Sequence, residues 1–235
     1  MNADLGRLLG EAGAVLLDFD GPVCGIFAGY PAPQVAAELV DLLLRQGFEV
    51  PPDLASERDP LEVLRRTAAA GDHSATRVVE DALCAAECLA ADTAKPTPYA
   101  REVIVAARQA GMPVAVVSNN SAGAVNAYLT AHRLAAHVSH VVGRAYADPD
   151  RMKPNPEPIL QAVRVLGKAP GCCVLVGDSL SDIEGARAAG VGAIGYANRP
   201  LKAEAFYAAG ADSVITSMGE LASVLLEAVE SRGVH

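Results

Sequence analysis

The sequence contains no tryptophan, and aromatic residues make up only 4% of its 235 positions. Proteins that bind single-stranded nucleic acid stack bases on aromatic side chains and attract the phosphates with basic surfaces. This chain has little material for stacking, and its formal net charge is -9. We therefore expect no nucleic-acid partner.

Long apolar runs and a cysteine framework are also missing. No apolar stretch reaches the length of a membrane span, and the N-terminal MNADLGRLLGEAG contains acids and lacks a basic start, so we expect neither a membrane anchor nor a signal peptide. The five cysteines are an odd number without framework spacing. This pattern favours a reduced, cytoplasmic location over a disulfide-rich secreted one.

The most informative stretch is an apolar run over residues 14–17 that ends in Asp18-Phe19-Asp20-Gly21. Such a run is typical of a buried parallel strand, and ligands of open α/β sheets bind beyond the carboxyl ends of their strands. Both carboxylates lie on the same side, because side chains alternate along a strand. Two adjacent anions repel unless a cation lies beside them, and Mg²⁺ prefers oxygen ligands. For an isolated motif of this kind, a turn or a helix cap is the commoner interpretation.

The region that follows has no strand-like run. Helical patterns cover residues 35–45, 61–70 and 75–91. Glycine- and proline-rich stretches at 22–31 and 95–98 have the composition of linkers. We therefore predict an all-helical cap domain formed by residues 28–94.

Strands and helices alternate through the rest of the chain. Strands are predicted at 14–17, 114–117, 138–142, 173–176, 193–196 and 213–216, and helices at 99–109, 122–132, 156–166, 182–189 and 218–230. The alternation predicts an α/β fold with a doubly wound parallel sheet and right-handed crossovers. Residues 1–27 and 95–235 would form this core, with a disordered tail at 231–235.

Polar residues with possible functional roles also lie at the ends of later predicted strands or in the loops beside them. Ser118-Asn119 precedes a helix, where a hydroxyl and free N–H groups can bind an anion. Lys153 lies just before another helix, and Asp178 ends a strand one turn before Asp182. Taken singly, these are an N-cap, a solvated lysine and a first-turn acid. Because a parallel sheet brings its strand ends together, jointly they indicate a carboxylate nucleophile, a cation site and a phosphate cradle.

In this order, the motifs resemble those of the haloacid dehalogenase superfamily of phosphotransferases. They are Asp18-Phe19-Asp20-Gly21, Ser118-Asn119, Lys153-Pro154 and Gly177-Asp178-x-x-x-Asp182. The helical insertion after the first motif resembles the family's first type of cap, found in phosphoglycolate phosphatase-like and β-phosphoglucomutase-like members. The resemblance covers nearly the whole chain.

The resemblance implies a role for each acid. Asp18 would be the nucleophile that forms an aspartyl-phosphate, and Asp20 would protonate the leaving oxygen and then deprotonate water. Mg²⁺ would be bound by Asp18, the Asp20 carbonyl and Asp178, with Asp182 in support.

The same resemblance implies how the substrate is held. Ser118, the Asn119 backbone and Lys153 would bind the phosphoryl oxygens. The expected protein is a Mg²⁺-dependent phosphatase, monomeric or homodimeric, acting on a small phosphorylated metabolite.

Other functions remain open at this point. A sugar-phosphate mutase of the same family would use the same residues. A 2-haloacid dehalogenase would lack the second acid of the first motif, so Asp20 argues against it. Outside enzymes, a signalling receiver would lack the helical insertion, and an idle phosphate-binding homologue would be expected to have lost a motif residue.

The motifs do not specify the substrate. Pro22 and the stretch Cys24-Gly25-Ile26 depart from the family pattern in the segment that leads to the cap. Arg58 lies in the loop 47–60 between two predicted cap helices, and in related caps such a loop faces the phosphate site. Arg58 is therefore a candidate for substrate specificity, although a solvated surface arginine is the commoner interpretation.

Overall fold

The computed structural model describes residues 3–232, with side chains described from residue 4 to residue 229. Its strands are β1 (Ala14–Leu17), β2 (Cys24–Gly25), β3 (Lys95–Pro96), β4 (Val114–Val117), β5 (His140–Val142), β6 (Cys173–Gly177), β7 (Gly192–Tyr196) and β8 (Ser213–Ile215). Six of them form a parallel sheet in the order β5-β4-β1-β6-β7-β8, while β2 and β3 form a separate antiparallel ribbon. The predicted α/β class with a doubly wound sheet is confirmed.

The helices fall into a core set and a cap set. They are α1 (Ala3–Glu11), α2 (Ala32–Arg45), α3 (Pro52–Ala55), α4 (Pro60–Ala69), α5 (His73–Thr93), α6 (Ala100–Gln109), α7 (Ala122–Ala131), α8 (Glu157–Val165), α9 (Leu180–Ala189), α10 (Lys202–Ala209) and α11 (Met218–Arg232). Helices α2 to α5 form the cap and the others flank the sheet. None of the helices within residues 3–232 is long and apolar enough to cross a membrane.

Strand β1 lies at the centre of the core, and all four of its residues are buried. Val15 and Leu17 face the apolar cluster that includes residues of α1, α6, α7 and α11. Ala14 and Leu16 face the opposite cluster, built with α8, α9 and α10. A strand buried on both faces needs apolar residues at every position, and this explains why the run ends where the first acid begins.

The segment 22–31 was expected to be a linker, and that prediction was wrong. It contains β2 and a short 3-10 helix at Ile26–Ala28. In the ribbon, Cys24 pairs with Pro96 and Gly25 pairs with Lys95. The two chain segments that connect core and cap therefore bond to each other, and composition does not reveal this because each strand depends on its distant partner.

The helix α5 packs against both parts of the molecule. Val79 and Leu83 belong to the apolar cluster of the cap, whereas Ala90 and Ala91 belong to a core cluster. Asp72 begins the helix by accepting hydrogen bonds from the backbone of residues 74 and 75. The cap boundaries at residues 28 and 94 stay a prediction.

Helices α1 and α10 were not predicted from the sequence, and the prediction of a disordered tail at 231–235 was wrong for its first two residues. In α10 only Phe206 is buried, so an apolar period is hardly visible. Ser231 and Arg232 were expected to be disordered, but they extend α11, since neither residue breaks a helix. The rest of the predicted tail, residues 233–235, lies outside the described residues. All five cysteines are free thiols.

Candidate active site

The candidate residues of the four motifs line one cavity between core and cap. Strands β4, β1 and β6 are neighbours in the sheet, so their carboxyl ends open on the same side. The cavity has a volume of about 460 Å³, and its lining includes every candidate named from the sequence: Asp18, Asp20, Arg58, Ser118, Asn119, Lys153, Asp178 and Asp182.

A buried lysine lies between two carboxylates at the base of this cavity. Lys153 Nζ donates to Asp18 Oδ1 at 2.8 Å and lies 2.6 Å from Asp182 Oδ1. It also donates to the carbonyl of Val117 at the end of β4, at 2.7 Å. The Lys153 and Asp182 residues are 2% and 0% exposed. Taken singly, Lys153 was interpreted as a solvated lysine, and the structure contradicts that interpretation.

The electrostatics of this group favour a charged lysine. Burial alone would lower the pKa of Lys153, but the carboxylates of Asp18 and Asp182 outweigh it and hold that pKa above its usual range. Burial raises the pKa of Asp18 well above its usual range, the charge of Asp182 adds to the rise, and Lys153 opposes it. An ionised Asp18 thus needs more positive charge than Lys153 supplies.

Asp182 also stabilises the start of helix α9. Its Oδ2 accepts a hydrogen bond from the Ser179 N–H at 3.1 Å, and Ser179 Oγ accepts one from the Asp182 N–H at 3.3 Å. These two reciprocal bonds form a capping box. A Cβ atom at Gly177 would lie only 2.2 Å from the Asp182 Cβ. The glycine that ends β6 therefore makes room for this acid beside Lys153.

Two residues that belong to none of the motifs donate hydrogen bonds to Asp178. Asn198 Nδ2 donates to Asp178 Oδ2 at 2.9 Å, and Lys202 Nζ donates to the same oxygen at 2.8 Å. Lys202 also donates to the main-chain carbonyl of Asp178 at 2.7 Å. Lys202 begins α10, which had no clear sequence signal, so these contacts could not be anticipated.

The connection to the cap holds Asp20. The Ile26 N–H donates to Asp20 Oδ1 at 3.0 Å. Partial desolvation by the surrounding protein atoms raises the pKa of Asp20 to about 6, although the residue is exposed at the cavity and this hydrogen bond opposes the shift. Ile26 belongs to the stretch that departs from the family pattern, yet its backbone N–H still bonds the acid. An acid with this pKa can both donate and accept a proton near neutral pH.

The loop after β4 is tied to the lysine. Asn119 Nδ2 donates to the Lys153 carbonyl at 3.2 Å, and the Lys153 N–H donates to Asn119 Oδ1 at 2.9 Å. Ser118 Oγ accepts from the Asn120 N–H at 3.0 Å. Within the described part of the chain, the Asn119 N–H has no hydrogen-bond partner. It is available to an anionic ligand.

Two arginines of the cap line the opposite wall of the cavity. Arg58 is exposed and lies just before α4, while Arg65 within α4 is half-buried. Arg65 Nη1 lies 3.7 Å from Glu62 Oε2. Arg58 is the arginine that the sequence indicated, and Arg65 adds a second positive charge to the cavity lining.

The acids of the core can fit a divalent cation. Asp18, Asp178 and Asp182 each offer a carboxylate oxygen, and these oxygens lie within 4.8 Å of one another. Gly21, at a φ of 107°, approaches Asp178 so closely that a Cβ atom would lie 2.4 Å from its Cγ. The donor set is all oxygen and anionic, which suits Mg²⁺.

A parallel core with polar strand ends and an inserted helical cap is the arrangement of the family that the motifs resemble. The model of the haloacid dehalogenase-like hydrolase family matches residues 12–190. The protein belongs to this family, as the motifs had indicated.

Similar proteins are phosphatases and mutases. The chain is 30% identical over 128 residues to phosphoglycolate phosphatase of Escherichia coli, a match that covers 54% of this chain and 50% of the relative. The chain thus spans about half the length of the curated relatives it matches. A predicted phosphatase from Clostridium acetobutylicum superposes with a TM-score of 0.69 at 20% identity, covering 92% of this chain and 99% of that one. For β-phosphoglucomutase from Clostridium difficile the TM-score is 0.66 at 15% identity, with 95% and 100% covered. The likeness to the two solved structures concerns the fold.

Proposed function

We propose that the protein is a Mg²⁺-dependent phosphatase that hydrolyses a small phosphate monoester through an aspartyl-phosphate on Asp18. The observation that carries this proposal is the buried contact of Lys153 with Asp18 at the base of a cavity. A carboxylate nucleophile, a fixed cation beside it and a second acid with a raised pKa are the groups that phosphoryl transfer needs.

In the first step, an Asp18 carboxylate oxygen attacks the phosphorus and the bond to the leaving oxygen breaks. Asp20, protonated below its pKa of about 6, donates its proton to the leaving oxygen. In the second step, Asp20 removes a proton from water, which attacks the phosphorus of the acyl phosphate and regenerates Asp18. One acid thus serves both steps.

The remaining residues would hold charge in place. Lys153, the Ser118 hydroxyl and the Asn119 N–H would bind the phosphoryl oxygens. Magnesium, held by Asp18, the Asp20 carbonyl and Asp178, would offset the repulsion between an anionic nucleophile and an anionic phosphate. Asp182 would support this arrangement by fixing Lys153.

The substrate we propose is a small phosphorylated metabolite with a second anionic group. Phosphoglycolate, named for the Escherichia coli relative, has a carboxylate close to its phosphate. Arg58 on the cap side of the cavity would bind that carboxylate, since a guanidinium group suits carboxylates. We further propose a cytoplasmic enzyme that acts as a monomer or homodimer.

The experiment is a phosphate-release assay over a panel of phosphorylated metabolites, including phosphoglycolate and a sugar monophosphate. We expect turnover with Mg²⁺, none after EDTA treatment, and recovery when Mg²⁺ is added back. The Asp18→Asn variant is the control, because it keeps the shape but loses the attacking oxygen. Full activity in chelator would contradict the metal assignment, and conversion to an isomeric sugar phosphate without phosphate release would identify a mutase instead.

A further inference from the structure

A second charged cluster lies where the cap helix α5 meets the core. Arg144, which follows β5, reaches two glutamates of α5: Nη2 lies 2.8 Å from Glu80 Oε1, and Nη1 lies 2.7 Å from Glu87 Oε1. Side-chain exposures of Arg144, Glu80 and Glu87 are 0%, 2% and 0%. None of the three belongs to a motif of the candidate site.

The cluster also bonds the loop that precedes α7. Arg144 Nη1 donates to the Asn119 carbonyl at 2.7 Å. Glu87 Oε2 accepts from the Ser121 N–H at 2.8 Å, and Glu87 Oε1 accepts from Asn120 Nδ2 at 3.2 Å. Glu80 does not share these loop contacts, since its partners within the described residues are Arg144 and Cys84.

These bonds hold two successive peptide groups of the loop. The peptide between residues 119 and 120 is held at its carbonyl by Arg144 and at its N–H by the Ser118 hydroxyl. The next peptide is held at its N–H by Glu87. Among the described residues, the Asn119 N–H of the preceding peptide has no partner, and Asn119 lines the cavity.

Stability alone is a weak reason for such a cluster. Burying three ionised groups carries a large desolvation penalty, and apolar side chains of similar volume often stabilise a protein as well or better. A buried charged network can instead specify one conformation of the groups that it bonds. Here the bonded groups are those of the loop beside Lys153.

We propose that Glu87 and Arg144 are positioning residues that hold the 118–121 loop in the shape that binds phosphate. The cap helix α5 then contributes to the shape of the phosphate site through Glu87. This inference rests on the proposed function for its phosphate ligand, whereas the loop positioning can be measured without that ligand.

The test compares Glu87→Gln with Glu80→Gln in the full-length protein. Both variants remove one buried negative partner of Arg144 from the same helix. In Glu87→Gln, an amide nitrogen in place of Oε1 would face two other donors, Arg144 Nη1 and Asn120 Nδ2. The charged acceptor of the Ser121 N–H is also lost, because the amide is neutral. Glu80→Gln is the matched control, because Glu80 bonds Arg144 but has no hydrogen bond of its own to the loop.

Two readouts separate positioning from general destabilisation. Amide hydrogen exchange at Ser121 should be at least about tenfold faster in Glu87→Gln than in Glu80→Gln, since a hydrogen bond to a charged group is typically worth about that factor. Isothermal titration with inorganic phosphate and Mg²⁺ should give a Kd raised about tenfold in Glu87→Gln and little changed in Glu80→Gln. Denaturant titration measures the loss of stability in both.

Equal exchange at Ser121 in the two variants would overturn the inference, as would unchanged phosphate affinity in Glu87→Gln. A wild-type protein that binds no phosphate would instead refute the proposed function, and the exchange measurement would still decide whether Glu87 positions the loop. Should Glu87→Gln fail to fold, Arg144→Lys replaces it. Lysine keeps the charge, but its single nitrogen cannot reproduce the guanidinium contacts to both glutamates and the Asn119 carbonyl, so the Kd for phosphate is expected to rise. An unchanged Kd in Arg144→Lys would overturn the inference.

Discussion

Replacing Lys153 with methionine tests the electrostatics of the site most directly. Lys153 lies 2.8 Å from an Asp18 oxygen and 2.6 Å from an Asp182 oxygen, and it is 2% exposed. Methionine fills similar volume but leaves two buried carboxylates without their cation. Removal of one partner from a buried ion pair typically costs about 3–5 kcal/mol. We therefore expect the free energy of unfolding of Lys153→Met to fall by about this amount near neutral pH.

The loss of stability should depend on pH in a defined direction. Lys153 is a group that lowers the pKa of Asp18, so its removal raises that folded-state pKa further. A carboxyl with a raised folded pKa stabilises the fold below the unfolded pKa of about 4, and this contribution disappears as the pH rises through the folded pKa. The difference between variant and wild type should thus be smaller at about pH 5 than at about pH 8.

The assay is denaturant-induced unfolding of wild type and variant at both pH values. The double variant Lys153→Met/Asp182→Asn is the control, because it also removes one of the unpaired charges, and it should be more stable than the single variant. A loss below about 1 kcal/mol, in the range of an exposed pair, would refute the reasoning. A loss that is the same at both pH values would refute it as well.

Three further predictions concern the reaction. With p-nitrophenyl phosphate, Asp20→Asn should accumulate a phosphate adduct on Asp18, because this leaving group needs little protonation whereas water has lost its base. Rapid quench followed by intact-mass measurement detects the adduct. If steady-state turnover of Asp20→Asn fell by less than about 10²-fold, the role of Asp20 would be contradicted. For an ester with a poor leaving group, kcat/KM should fall as the pH rises through about 6, the pKa to which desolvation raises Asp20, since only the protonated acid donates. If kcat/KM for p-nitrophenyl phosphate fell over the same pH range, the loss of activity would belong to another group. Arg58→Ala should raise KM for phosphoglycolate about tenfold and leave KM for p-nitrophenyl phosphate unchanged, so equal effects on both esters would remove Arg58 from the substrate site.

The sequence alone determined the architecture and the acids of the site. A fully apolar β1 that is followed by Asp18, and strands alternating with helices after the cap, are local patterns that burial imposes on each segment. The motifs lie at strand ends, and parallel strands bring their ends together. The sequence could therefore indicate that Asp18, Ser118, Lys153 and Asp178 share one site before any contact was known.

Only the tertiary structure decided how those residues are held. Asn198 and Lys202 bond Asp178 from a short helix that shows little apolar period. Arg144 and Glu87 are 57 residues apart in the chain, and each taken alone resembles an ordinary surface charge. Their pairing depends on how α5 packs against the core. Local propensity specifies where elements form, whereas the partner of a buried charge is chosen by long-range packing, which one stretch of sequence does not contain.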